Sequence, residues 1–378
     1  MNSNNSRAQN AILLEMKILA IETSCDETSV AIVEDGCKIH SLITNSQIDI
    51  HRAFGGVVPE IAARSHIEVM VPVIQQALEE AAMTWDDIDA IAVTQGPGLL
   101  GALLIGVLTA RTLAWSLKKP LYPVHHIMGH VYANWIDGSK IADRGSRNLQ
   151  SSVYGLQSRE PQFPILALIV SGGHTQLMYA TNHTDWRIIG RTEDDAVGEA
   201  FDKAAKVLGL PYPGGPSIAK AAESGNPAEY RLTTPKVAEK YGFSFSGLKT
   251  GLLRAVQKEC GKPHDFPSFE LAALLNDTQK ADFAASFQQT AINYLVAKTK
   301  AAFDELKPKT VIIGGGVAAS LPLREALSHE IPIEIEYAPQ VLCTDNAAMI
   351  GARAYFQAQS EEPVDPRTLD PKPSWPLN

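Results

Sequence analysis

Cysteine is scarce in this chain: only Cys25, Cys37, Cys260 and Cys343 occur among 378 residues. None of them forms a Cys-x-x-Cys pair, and four are too few for a disulfide framework. That usage points to a reducing cytoplasm. Long apolar runs are missing as well. None reaches the roughly 18 residues that a membrane span needs, so no membrane role is expected. Positive charge is in the minority, with 33 Lys and Arg against 42 Asp and Glu, a net charge of −9. Such a balance argues against wholesale coating of nucleic acid, while a local basic face remains open. Residues 1–10 lack the apolar core of a signal peptide, and Arg7 alone makes a weak organelle presequence. Met16 sits just before the first expected strand, so residues 1–15 read as a tail or as a start-site error.

What is present suits a two-lobed globular protein. The chain is too long for one small core, and its 45% apolar and 20% charged residues are ordinary. The sequence also repeats a theme. Residues 17–40 read as a strand, a polar corner, a strand, a turn at Glu34-Asp35-Gly36 and a third strand. Residues 164–190 do the same around Ser171-Gly172-Gly173. After each hairpin comes a strand, a glycine turn and a helix. One unit is Ile88 to Thr94, then Gly96-Pro97-Gly98, then a helix from Leu99 to about Leu117. The other is Thr310 to Ile313, then Gly314-Gly315-Gly316, then a helix from about Leu321 to Ser328. A glycine turn before a helix lets backbone N–H groups approach a phosphate or a close neighbour. The expected fold is therefore α/β, with two duplicated actin-like lobes and a nucleotide cleft between them; this is an analogy of fold and does not by itself give a function. The expected layout is a tail over 1–15 and a first lobe over 16–125 plus 346–360. A second lobe covers 126–345 with an insertion at 135–163. A proline-rich tail over 361–378, extended or disordered, completes the chain. Residues 56–82 and 269–306 are expected to be helical.

The chemistry-bearing residues begin with His125-His126-Ile127-Met128-Gly129-His130. On a helix, His126 and His130 share a face and can reach one metal ion. A surface histidine cluster explains the spacing equally well. A zincin protease is excluded, because Ile127 stands where its glutamate base belongs. Asp345 is a candidate third ligand, expected between an apolar strand and a helix, where a helix N-cap is the commoner role. The corner Glu22-Thr23-Ser24-Cys25-Asp26-Glu27-Thr28 suits phosphate and metal-water contacts. It has no glycine, unlike the Asp-x-Gly-Thr corner of a sugar kinase, which counts against phosphoryl transfer. Ser171-Gly172-Gly173 permits close approach of a ligand. Asp202 is a candidate for ribose hydroxyls, or for a salt bridge with Lys206. Tyr212-Pro213-Gly214-Gly215-Pro216 reads as a rigid turn that walls a pocket or caps a helix. Residues 231–262 hold seven basic residues against two glutamates, with Tyr241, Phe243 and Phe245 between them. That mixture suits RNA contact, or a solvated helix face beside core aromatics.

Taken in order, the stretches IETSCDETSVAIV, GGVVPEIAARSH, TQGPGLLGALLIG, PVHHIMGH, LIVSGGHTQL, DDAVGEAFDKAAKVLGLPYPGGP, FSFSGLKT, GGGVAAS and CTDNAAMIG resemble the tRNA N6-adenosine threonylcarbamoyltransferase family, the TsaD/YgjD group once described as O-sialoglycoprotein endopeptidases. The bacterial form is the nearer match, from about residue 17 to 355. The resemblance implies transfer of a threonylcarbamoyl group from threonylcarbamoyl-AMP to N6 of the adenosine just 3′ of the anticodon, in tRNAs that read codons beginning with adenine. It implies His126, His130 and Asp345 as metal ligands, for Fe(II) with zinc as the alternative. It places the adenylate at Ile169, Val170, Ser171, Gly172, Gly173, Asp202, Gly215 and Ser320. It names no general base, and Asp26 and Glu27 are the nearby candidates. The implied partners are tRNA, a small paralogous TsaB-like subunit and a TsaE-like P-loop ATPase. The chain departs from the family pattern at Ser320, where asparagine is usual, and at Met128, where glutamate is common. Its 135–163 insertion is also longer. Rival readings are a small-molecule kinase of the same superfold and a non-catalytic scaffold paralogue.

Overall fold

A computed structural model describes residues 15–137, 162–235 and 237–377. The first fourteen residues and most of the 135–163 insertion lie outside the described residues. The first sheet has the order β3-β2-β1-β4-β5, built from β1 (Lys17–Glu22), β2 (Glu27–Glu34), β3 (Lys38–Ser46), β4 (Ala90–Gly96) and β5 (Leu121–His125). The second has the order β10-β9-β6-β7-β8, from β6 (Ile165–Val170), β7 (Thr175–Ala180), β8 (Trp186–Arg191), β9 (Thr310–Gly314) and β10 (Ile335–Tyr337). Each sheet starts with an antiparallel three-strand meander and continues with two parallel strands. The repeated pattern in the sequence is thus a repeated topology.

Helices α1 (Ile48–Arg52), α2 (Pro59–Ala81), α3 (Leu100–Leu117) and α4 (His126–Tyr132) belong to the first half of the chain. Then follow α5 (Val197–Leu208), α6 (Gly214–Ala222), α7 (Ser246–Glu259), α8 (Ser268–Leu271), α9 (Asp277–Leu306), α10 (Leu321–Glu330), α11 (Gln340–Cys343) and α12 (Ala347–Ala358). The central strands read as unbroken apolar runs because both faces of the sheet are covered. In β1, Leu19 and Ile21 join the cluster under α2 and α3. Ile18 and Ala20 face the other way, into the core that includes α12 and continues through α4 to the second sheet. The segment expected to be mostly helical over 269–306 is so, in the short α8 and the long α9. Asn276 and Gln279 form a capping box that starts α9 afresh, each side chain accepting the other's backbone N–H. Helix α3 is long and apolar enough to cross a membrane by length and composition, with a mean hydropathy of 1.6. No run was expected to reach that length; here the helix packs on β4 and α2.

The proline-rich segment after α12 has no helix or strand, yet it is pinned to the first lobe. Arg111 donates to the carbonyls of Pro366, Arg367 and Leu369 at 2.7, 2.6 and 3.0 Å. Leu369 is buried in the core beneath α2 and α3. The Lys372 N–H donates to the Gln95 carbonyl at 2.7 Å, and the Gly98 N–H donates to the Pro373 carbonyl at 3.1 Å. At Gly96 a Cβ would stand 1.8 Å from the Lys372 carbonyl oxygen, so only glycine admits the strap. Near its end the strap meets β5, where the His125 Nε2–H donates to the Trp375 carbonyl at 2.8 Å, and Leu377 packs against the core.

Candidate metal centre and nucleotide cleft

Strands β1, β4, β5, β6 and β9 end at the cleft between the lobes, the usual place for a ligand on an open α/β sheet. Helix α4 starts there directly after β5. His125 caps it, its Nδ1 accepting the Ile127 N–H at 3.2 Å. Burial and the neighbouring His126 push the His125 imidazole down to about 4, so it is neutral with Nε2 protonated toward the strap. One turn of α4 puts His126 and His130 side by side, rings 4.8 Å apart.

Asp345 approaches from the other side of the chain. It follows the single turn of α11 and not a strand directly, as was expected. The N-cap of α12 is its neighbour Asn346, whose side chain accepts the Met349 N–H at 3.0 Å. Asp345 is therefore released from capping, and its Oδ1 stands 3.5 Å from His126 Nε2 and 3.2 Å from His130 Nε2. The three ligand atoms lie within 4.8 Å of one another. His130 is almost wholly buried, yet neither ring nitrogen has a hydrogen-bond partner. A buried imidazole left in that state is costly unless a further group is held there.

His126 is backed by a residue that sequence reasoning did not single out. Glu22, at the end of β1, is fully buried, and its Oε2 lies 3.1 Å from His126 Nδ1. The same oxygen accepts the Thr94 hydroxyl, while Oε1 accepts the Ser24 N–H at 2.5 Å. Ser24 Oγ also lies 3.2 Å from His126 Nδ1. Carboxylate, histidine and ligand position in line is the usual supporting arrangement for a metal-bound imidazole. Burial works against charging His126, but the carboxylates of Asp345 and Glu22 raise it to about 9. Those histidines in turn outweigh burial and hold Asp345 below the usual carboxylate range.

The acidic corner after β1 borders this centre. Burial, then the charges of Asp345 and Asp26, push the Glu27 carboxyl up to about 10. Ser46 donates to Glu27 Oε1 at 3.3 Å. Burial, then the carboxylates of Asp202 and Asp26, push Tyr212, in the turn before α6, up to about 12. His174, also not singled out, follows the glycine pair, its ring 6.3 Å from that of His126. Burial and the neighbouring histidines push it down to about 3, which leaves it neutral. The sequence signal for Glu22 and His174 was their place inside ordered motifs, not any spacing.

The expected nucleotide residues lie at the end of β6, on α5, at the start of α6 and just before α10. Ile169 and Val170 are buried at the end of β6, and Ser171 Oγ accepts the His174 N–H at 3.1 Å. The Gly198 N–H donates to the Ser171 carbonyl at 3.2 Å, joining the start of α5 to this corner. Gly315 has a φ of +91°, and its Cβ would meet the Val170 carbonyl at 2.5 Å. By contrast, a Cβ on Gly172, Gly173, Gly215 or Gly316 would meet nothing within 4 Å. Protein packing therefore does not require glycine there, and those backbones face open space. Asp202 makes no pair with Lys206. Its Oδ1 accepts the Gly214 N–H at 2.6 Å, which fixes the start of α6, and burial raises its carboxyl. Lys203 is the residue that pairs on α5, with Asp195 and Glu199. Ser320 is half-buried; its N–H donates to the Val317 carbonyl at 3.0 Å and its hydroxyl caps nothing.

The aromatic residues of the basic stretch are not available to stack on bases. Phe243 and Phe245 are fully buried against Tyr294, and Tyr241 is buried beside them. Lys240 pairs with Glu305. Arg231, Arg254 and Lys258 remain exposed, so only the cationic half of that reading persists.

A family profile described as TsaD, tRNA N6-adenosine threonylcarbamoyltransferase, matches residues 38–143 and 147–352. The tRNA N6-adenosine threonylcarbamoyltransferase of Thermomicrobium roseum is 47% identical over 351 residues, covering 91% of this chain and 92% of that protein. That of Moorella thermoacetica is 44% identical over 370 residues, covering 96% and 98%. Among solved structures, HypF of T. kodakarensis aligns over 91% of this chain and 49% of that one, with a TM-score of 0.55 at 11% identity. That likeness concerns the fold alone, which is of the actin-like kind. The chain belongs to the tRNA N6-adenosine threonylcarbamoyltransferase family, acyltransferases that carry a threonylcarbamoyl group from threonylcarbamoyl-AMP to N6 of a tRNA adenosine.

Proposed function

We propose that His126, His130 and Asp345 hold one divalent metal ion at the point of transfer, Fe(II) in preference to zinc. The observation that carries this is His130, buried with neither ring nitrogen in a hydrogen bond and with Nε2 held 3.2 Å from the Asp345 carboxylate. Two histidines and one carboxylate are a ligand set of the non-haem Fe(II) type. The ion supplies Lewis acidity toward the carbamoyl carbonyl. The open-faced glycines Gly172, Gly173 and Gly215, with Asp202 and Ser320, cradle the adenylate. Ile169, Val170 and Ser171 shape its floor. Asp26 is the group that takes up the proton as the adenosine N6 attacks the carbamoyl carbon, the carbon–oxygen bond to phosphate breaks and AMP leaves; Glu27, whose carboxyl is raised to about 10 and so keeps its proton near neutral pH, stands beside it as a hydrogen-bonding neighbour. The adenosine amine is a weak nucleophile, so positioning dominates. The test is transfer from threonylcarbamoyl-AMP to unmodified tRNA, with metal analysis of the same protein. Transfer by protein stripped of metal, unchanged by added Fe(II) or zinc, would refute the reading.

The partner reading rests on one surface. Ile67 and Val71 on α2 are each 61% exposed, and Leu100, Leu104 and Leu108 on α3 are 58%, 39% and 44% exposed. A Cβ on Gly101 would stand 3.0 Å from the Ala63 Cβ, so the two helices meet closely and present one apolar face. Contiguous exposed apolar side chains of this kind mark docking sites. Its occupant is the small TsaB-like subunit, with an equivalent lobe packing helix to helix. Leu104→Asp should weaken that complex about a hundredfold in analytical ultracentrifugation while metal content stays the same. Wild-type association would refute the assignment. The TsaE-like ATPase is carried by the family resemblance alone, and reconstituted turnover with and without it is its test. A cytoplasmic setting is part of this proposal: the sparse cysteine usage suits reducing surroundings, and the substrate is tRNA.

A further inference from the structure

The motif that ends in His66 has no part in the reading above, yet it leads to the acidic corner. Four polar side chains, Thr28, Gln47, His51 and His66, are fully buried outside the metal centre. They form a line of hydrogen bonds that runs one way. His51 Nδ1 accepts the Val58 N–H at 3.3 Å, so its Nε2–H donates to Gln47 Oε1 at 3.2 Å. The Gln47 amide donates to the Ala62 carbonyl at 3.4 Å and reaches His66 Nδ1 at 3.5 Å. His66 Nδ1 also accepts the Thr28 hydroxyl at 2.7 Å, so its Nε2–H donates to the Cys25 carbonyl at 3.0 Å. The Gln47 backbone N–H donates to the next carbonyl, that of Asp26, at 3.0 Å. Both carbonyls that flank the side chains of the corner are thus held from outside the catalytic cleft. The corner's first residues, Glu22 and Ser24, touch His126. Its later residues are fixed by the buried line. Burial holds the His66 imidazole below its ordinary value, in keeping with a neutral ring that donates from one nitrogen and accepts at the other.

We infer that His66, with Gln47 behind it, is a positioning residue for threonylcarbamoyl transfer: its ring holds the Cys25 carbonyl while the Gln47 backbone holds that of Asp26, and together they set where the Asp26 and Glu27 carboxyl groups stand beside the metal centre. The inference rests on the proposed part of those two acids in the transfer. His66 touches neither the metal ligands nor the adenylate turns, so its loss acts on geometry alone. A side chain displaced by about 1 Å costs on the order of a hundredfold in rate. Glutamine can replace both bonds, donating to Cys25 from its amide and accepting from Thr28 at its oxygen.

The experiment compares full-length His66→Ala, His66→Gln and His51→Ala in the transfer assay at saturating threonylcarbamoyl-AMP, with metal content and Tm measured on each. His66→Ala should lower kcat about 10- to 100-fold, with unchanged metal per chain and unchanged KM for tRNA. His66→Gln should recover most of that loss. His51→Ala, which breaks the far end and leaves the corner's own contacts in place, should lower kcat a few-fold, and it decides the matter if His66→Ala does not fold. Full kcat in His66→Ala, or no recovery in His66→Gln at equal metal content, overturns the inference, as does loss of metal in step with activity. Asp26→Asn and Glu27→Gln are assayed alongside. Full activity in both of those overturns the reading of the corner itself, whatever His66 does.

Discussion

Asp345→Ala yields a folded protein that no longer retains metal and whose transfer rate falls by about three orders of magnitude. The carboxylate stands within 3.5 Å of His126 Nε2 and 3.2 Å of His130 Nε2 and is the only anionic member of the triad. Two neutral imidazoles alone make a weak site for a hard divalent ion. The fold does not depend on Asp345, because the start of α12 is capped by Asn346. A Tm close to that of the parent is therefore expected, with the metal signal gone. Asp345→Asn separates shape from charge: it keeps the volume and one oxygen but not the anion, and it should lose most of the metal too. Wild-type transfer by either variant in metal-free form would remove the centre from the reaction. Loss of transfer with full metal content would instead assign Asp345 some other role.

The sequence made the two-lobed plan legible because the hairpin and the strand–glycine–helix unit occur twice, and apolar periodicity reports such units directly. It also made His126 and His130 legible, since a four-residue spacing needs only one helical turn to act. Asp345 was harder. Its neighbourhood reads equally as a cap, and only the structure assigns that duty to Asn346 and frees the aspartate. Glu22 was invisible as a functional group. The corner as a whole reads as suited to metal-water contacts, but which of its acids backs His126 shows only when β1 and the start of α4 come together, 104 residues apart in the chain. The aromatic residues in the basic stretch misled for the opposite reason: Phe243 and Phe245 sit among charges in sequence but fill the core in space. The C-terminal segment is extended, one of the two states its proline content allows, but that content says nothing of what holds it. Prolines disfavour helix and sheet, but they do not prevent an extended chain from being held by Arg111, the Gln95 carbonyl and the Gly98 N–H.

Glu22→Gln tests whether the centre depends on its supporting carboxylate. In the parent, Glu22 presents two acceptor oxygens to three donors: His126 Nδ1–H, the Thr94 hydroxyl and the Ser24 N–H. Glutamine keeps one acceptor and turns an N–H₂ toward the others. If that amide faces His126, the imidazole avoids a donor clash only by accepting at Nδ1. Its proton then sits on Nε2, the atom that faces Asp345 and His130, and a protonated nitrogen cannot bind metal. Metal affinity should fall about 10- to 100-fold, the range seen when such supporting groups are lost. Transfer should fall with it at scarce metal and recover in part with excess metal. Asp345→Ala, by comparison, has no ligand for added metal to restore. Glu22→Ala goes further, because it leaves His126, Thr94 and the Ser24 N–H unpartnered in a buried space. That change should cost about 3–5 kcal/mol of stability in denaturant titration. Unchanged metal affinity in Glu22→Gln would mean that the tautomer of His126 is set by Ser24 Oγ, 3.2 Å from the same nitrogen, and Ser24→Ala would then carry the loss instead.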